Sequence, residues 1–196
     1  MRSFYLVVAL LVTACATGSN VSGPKRAQIT NYEAPGNLKA RTDLGCLKVE
    51  AIRNTHTAAD LYQSNVACVK QDDLESAVYS SALAGVYARY DSMRVADASA
   101  HQAQTVLRMN VAYSLTEEER KRFMARLSAV AGDGSSLATL CSRIRVIGPP
   151  NYRPTYMIQH GMSAFIGGSG NGLVANFDSA AAWEKSLDTY LHCARP

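Results

Sequence analysis

The chain has 196 residues, 47% of them hydrophobic, with 20 Lys and Arg against 16 Asp and Glu for a formal net charge of +4. So mild a surplus, with no dense Lys/Arg run, argues against nucleic-acid binding and against a polybasic membrane patch. The length suits one domain plus a tether.

The first residues have the three-part build of an export signal. Arg2 supplies the positive start, Phe4 to Val12 form an unbroken apolar run, and Val12-Thr13-Ala14-Cys15 closes with small residues and a cysteine. A transmembrane helix needs about 20 apolar residues; this run is shorter, and the polar Gly18-Ser19-Asn20 follows it. An ordinary secretory signal with an incidental cysteine is the competing reading. Val12-Thr13-Ala14-Cys15 resembles the lipobox of bacterial lipoproteins. That resemblance implies cleavage before Cys15, a diacylglycerol thioether on its sulfur and acylation of the freed amine. Residues 1–14 are then a signal peptide, and Cys15 is the anchor to the membrane. Ala16 stands where an aspartate would favour inner-membrane retention, so the resemblance implies the outer membrane, facing the periplasm.

Residues 15–44 are expected to form a flexible lipidated tether. Thr17 to Pro24 lack large apolar side chains apart from Val21, and Pro35-Gly36 punctuates the stretch again. A coil of that length spans about 30 Å. A single helical domain is expected over residues 45–196. Its four cysteines, Cys46, Cys68, Cys141 and Cys193, suit two disulfides in an oxidising compartment. Three pairings exist. Cys46–Cys68 with Cys141–Cys193 is preferred, because it ties the domain start to the first helix and the last helix to its neighbour. No Cys-x-x-Cys or His-Glu-x-x-His spacing suggests a metal.

The domain is expected to be all-α, a stack of about six helices. Thr57-Ala58-Ala59-Asp60 reads as a capping box, followed by Leu61, Tyr62, Val66 and Val69 at helical spacing. Gln71-Asp72-Asp73 breaks that run, and Leu74 to Tyr90 form a second, broadly apolar helix. Residues 58–90 resemble a tetratricopeptide-type helical hairpin, with Ala67 and Ala77 in the close-packing positions, and no second copy follows. Stacked hairpins of this kind tend to create a groove for a peptide or partner helix.

A third helix is expected from Val95 to Tyr113, with Val95, Ala98, Gln102, Val106, Met109 and Tyr113 near one side. Thr116 to Glu119 is a second capping box, leading into Phe123, Met124, Leu127 and Val130. Ser135-Ser136 opens a fifth helix, which Gly148-Pro149-Pro150 stops. Asn176 or Asp178 caps a last helix bearing Ala182, Trp183, Leu187, Tyr190 and Leu191. Residues 157–166 stay ambiguous between helix and strand.

Catalytic patterns fail one after another. Around Ser163 and Ser169, Phe165 and Asn171 occupy the glycine place that a nucleophile elbow requires. Gly168, Gly170 and Gly172 lack phosphate-loop or dinucleotide spacing. Asp72, Asp73 and Glu75 fall short of a calcium loop. The remaining enzymatic alternative is a site assembled from His160 and Asp178 beside the 167–172 glycine loop. Ten tyrosines stand against four phenylalanines and one tryptophan. Tyr152, Arg153 and Tyr156, with His160, form a proline-stiffened segment of residue types favoured at interfaces, and are the candidate partner-binding residues. The sequence thus points to a cofactor-free protein-binding lipoprotein, in its sharpest form an immunity protein against an antibacterial lipase or cell-wall hydrolase. An envelope-assembly or secretion scaffold is the alternative.

Overall fold

The computed structural model describes residues 33–167 and 170–194. Cys15, the signal segment and the tether as far as residue 32 lie outside the described residues, as do Gly168 and Ser169 of the glycine loop.

At the centre is an antiparallel pair, α1 (Ala58–Lys70) and α2 (Leu74–Arg94). The Thr57 hydroxyl accepts from the Asp60 amide while the Asp60 carboxylate accepts from the Thr57 amide, so α1 starts on the expected capping box. Asp72, with φ +60°, turns the chain, and Asp73 caps α2 through the Ser76 amide. Buried residues surround α2: Ala77, Val78, Ala82, Leu83, Val86, Tyr87 and Tyr90 all lie inside. A helix enclosed by neighbours has no polar face to present, which is why its apolar residues are spread around it.

Around this pair stand α3 (Ala103–Ser114), α4 (Glu117–Gly132), α5 (Gly134–Ile147) and α8 (Ser179–Ser186). Thr116 and Glu119 form the second expected capping box at the head of α4. Asp133 caps α5, and Asp178, rather than Asn176, caps α8 through the Ala181 amide. A π-helical turn, Leu187–Leu191, prolongs α8. It carries the Tyr190 ring onto Gly85, where an added Cβ would lie 2.0 Å from the ring. Glycine at 85 is what admits the tyrosine. The ambiguous segment resolves into two single-turn helices, α6 (Thr155–Ile158) and α7 (Ser163–Ile166). Among the described residues there is no strand, only an isolated bridge between Val95 and Leu173. The six longer helices are the six expected from the sequence.

Both disulfides take the preferred pairing, Cys46–Cys68 and Cys141–Cys193, closing separations of 22 and 52 residues. Closures of that length stabilise by about 3 and about 4 kcal/mol through the unfolded chain.

Two expectations need correction. The third helix does not begin at Val95. Val95 is extended, the Ala96 amide donates to the Gly172 carbonyl, and Asp97 caps a 3-10 turn over Ala98–Gln102 before α3 opens at Ala103. The domain also begins before residue 45. Ala34 is buried, the Leu38 amide donates to the Tyr156 carbonyl, and the Arg41 and Thr42 amides both donate to the Asp60 carboxylate. Residues 34–44 are therefore bonded to the body, because Asp60 has acceptor capacity left after capping α1.

Candidate functional site

The expected partner-binding residues divide between core and surface. Tyr156 is 2% exposed and does not serve as a surface anchor. Its hydroxyl donates to Asp91 Oδ2 at 2.8 Å, and the Tyr152 hydroxyl donates to the same oxygen at 2.9 Å. Asp91 Oδ1 accepts from Arg94 Nε at 2.8 Å, and the Arg94 guanidinium lies over the Tyr90 and Tyr152 rings. Burial pushes the Asp91 carboxyl up from its ordinary value, against the downward pull of Arg94 and the two phenols. Burial likewise raises both phenols. This network locks α6 and the segment before it onto α2. The tyrosine enrichment thus records buried acceptor-sharing here, and no composition signal separates that use from an interface.

Arg153 is exposed and donates to the Asn171 carbonyl at 2.6 Å, holding the far side of the glycine loop. His160 Nδ1 donates to Asn37 Oδ1 at 2.9 Å, and partial burial lowers its pKa below the ordinary 6.5. Asp178 is occupied in capping α8, and the two side chains do not bond to one another. His101 Nε2 donates to the Val95 carbonyl. Asp73 accepts from Lys48, and Asp72 pairs with Arg122.

The sequence reading missed the groove between α3 and α4. It is a cavity of about 420 Å³ walled by Met109, Ala112, Phe123, Met124 and Leu127, with Tyr62, Ser81 and Tyr190 below. Met109 is 46% exposed and Met124 49% exposed, so both walls show thioether side chains to solvent. Unbranched, polarisable methionines suit a surface that repacks around a partner. The Tyr62 hydroxyl is buried and makes no hydrogen bond of normal geometry, with the Tyr190 phenol beside it. Arg108 and Arg120 stand at the edge. Arg120 pairs with Glu117, whereas Arg108 has no ion pair among the described residues.

Met109 and Tyr113, expected near one side of the third helix, are both exposed. Phe123, Met124 and Leu127 fall within one ordinary apolar stripe of about 100° on α4, so the pattern does not separate the open Met124 from the buried Phe123. A second depression, of about 440 Å³, lies between α5 and residues 49–54; there Arg143 pairs with Glu50 at 3.2 Å, and Arg53 donates to the Glu50 and Ile52 carbonyls. Of these two, only the α3–α4 groove is walled by methionines.

Among the described residues no helix is long and apolar enough to cross a membrane, and no three His, Cys, Asp or Glu side chains converge as a metal site. No protein-family model, curated protein or solved structure matches the chain.

Proposed function

We propose that this chain is a lipoprotein, anchored through Cys15 to the outer membrane and facing the periplasm, whose helical domain binds a protein partner in the α3–α4 groove. The observation that carries the reading is the groove itself: methionine-lined walls open to solvent, a buried hydroxyl in its floor and, at its edge, an arginine with no ion pair among the described residues. The occupant that matches is an amphipathic helix. Its apolar face covers Met109, Met124 and Leu127, and an acidic residue beside that face meets Arg108. Confinement to a membrane surface raises the effective concentration of such a module without adding contacts. That benefit is greatest for an inhibitor awaiting a lipase or cell-wall hydrolase that acts at the same membrane, so immunity to an antibacterial effector is the form we favour.

The test is calorimetric titration of the mature chain with a secreted lipase or cell-wall hydrolase captured from the same cells, together with an activity assay. Stoichiometric inhibition, weakened at least about tenfold by Met124→Glu or Arg108→Glu, supports the reading. Binding without inhibition directs the groove to an envelope-assembly partner. Full-strength inhibition by both variants removes the groove from the account.

A further inference from the structure

A second exposed apolar feature lies away from the groove. The single turn α7 presents Met162 at its start, then Phe165 and Ile166, with Ile166 75% exposed. This exposure is built in from the inner side. The Asp97 carboxylate accepts from the Ser163 amide at 2.8 Å, and the Ser99 hydroxyl accepts from the Met162 amide at 2.8 Å. Gly161 sits so close to Asp97 that an added Cβ would fall 2.4 Å from its Oδ2. The inward side of the turn is thus engaged in polar bonds, and its large apolar side chains are left outward. Nothing among the described residues covers them.

The chain's entry into the domain says what does. Residues 34–38 run alongside α6: the Leu38 amide donates to the Tyr156 carbonyl, and Asn37 accepts from His160, two residues before Met162. The first described residues therefore lie against α6, the turn that immediately precedes α7. Fewer than twenty residues separate Cys15 from Glu33. A lipid on Cys15 would keep the bilayer within reach of this side of the domain. The exposed Arg153, bonded to Asn171 just past the loop, adds a cation for anionic headgroups on the same segment.

We infer that α7 is a membrane-contact turn, in which Met162, Phe165 and Ile166 enter the interfacial region of the bilayer that holds the chain. The occupant of this surface is phospholipid. Insertion fixes the orientation of a domain that a tether alone leaves free to tumble, and two or three apolar side chains are a reversible contact rather than an anchor. The inference rests on the Cys15 lipid for its direction but not for the contact itself.

The experiment uses the lipidated mature chain in vesicles of phosphatidylethanolamine and phosphatidylglycerol, with and without brominated acyl chains. Phe165→Trp and Ile166→Trp are compared with Met124→Trp and Val146→Trp, each read as the difference from the parent chain, whose single Trp183 is buried. The expected result is a blue shift and loss of emission with brominated lipid at 165 and 166, and neither at 124 or 146. Equal quenching at all four positions, or none at 165 and 166, overturns the inference. A parallel arm adds the mature chain carrying Cys15→Ser to the same vesicles. Quenching of Phe165→Trp there, together with about tenfold weaker vesicle co-sedimentation of the chain carrying Phe165→Ser and Ile166→Ser, supports direct contact; no quenching and no change in co-sedimentation overturn it. Failure of the native chain to carry lipid refutes the Cys15 anchor separately, whatever the outcome at α7. Protection of Phe165 by a protein partner but not by vesicles also overturns the inference.

Discussion

Replacing Asp91 by alanine tests whether the carboxylate holds α6 and the segment before it to α2. Asp91 is fully buried and accepts from two phenols and one guanidinium. Asp91→Ala leaves Arg94, whose side chain is only 12% exposed, without its counter-charge. Breaking a buried pair from one side costs about 3–5 kcal/mol. The Tyr152 and Tyr156 hydroxyls lose their shared acceptor as well, at about 1–3 kcal/mol for a stranded buried group. These costs overlap because one oxygen serves both phenols, so a total of about 5 kcal/mol is expected. That is a large fraction of the 5–15 kcal/mol typical of a whole domain. Tyr156→Phe removes one donor and strands no cation, and is expected to cost about 1.5–3 kcal/mol. Asp91→Leu combined with Arg94→Met removes both charges and recovers part of the loss. Urea unfolding with disulfides intact, followed by Trp183 emission, reads all four chains, since Trp183 packs against Tyr87 and Tyr90. A cost below about 1 kcal/mol for Asp91→Ala, or no recovery in the double variant, refutes the reasoning.

Three further outcomes follow from the same contacts. Gly85→Ala places a methyl into the Tyr190 ring, and is expected to cost about 1–3 kcal/mol while driving Tyr190 out of the groove floor. Chemical-shift changes at Tyr62 and Tyr190 report the displacement, and an undisturbed Tyr190 contradicts it. Cys141→Ser with Cys193→Ser opens a separation of 52 residues and is expected to lower stability by about 4 kcal/mol, measured by thermal unfolding. Asp97 is held well below its ordinary 3.8 by hydrogen bonds from Ser99 and Ser163. Its folded pKa is depressed, so its contribution is complete above 3.8 and is lost as pH falls toward the folded value. The protection factor of the Ser163 amide is expected to fall in that acid window and to be low at all pH values in Asp97→Ala; unchanged protection in the variant counts against the brace.

The helical elements were legible because capping is local chemistry. Thr57 with Asp60, and Thr116 with Glu119, name their helices from four residues each. Disulfide pairing followed from which elements had to be neighbours. The break at Val95 was not legible, since it depends on Gly172, more than seventy residues away, accepting from Ala96. The early start of the domain escaped for the same reason: Asp60 looks complete as a capping residue, and nothing local shows that it also receives Arg41 and Thr42. The candidate site was the least legible part. Tyr152 and Tyr156 resemble interface residues in type but are drawn inward by Asp91, while Met109 and Met124 resemble core residues but stand open. Residue type alone does not distinguish an unfilled groove from a filled core.

The central claim, that the α3–α4 groove receives a partner helix, is tested most directly by photo-crosslinking in living cells. A photoreactive side chain is placed at Met109, at Met124 and at Val146, the last on α5 outside the groove. The account predicts one protein joined at both 109 and 124 and absent at 146. Its crosslinked peptide is an amphipathic helix with an acidic residue beside the apolar face, and the adduct is lost with Arg108→Glu. Crosslinks at 146 with none at 109 or 124, or an adduct indifferent to Arg108→Glu, contradict it.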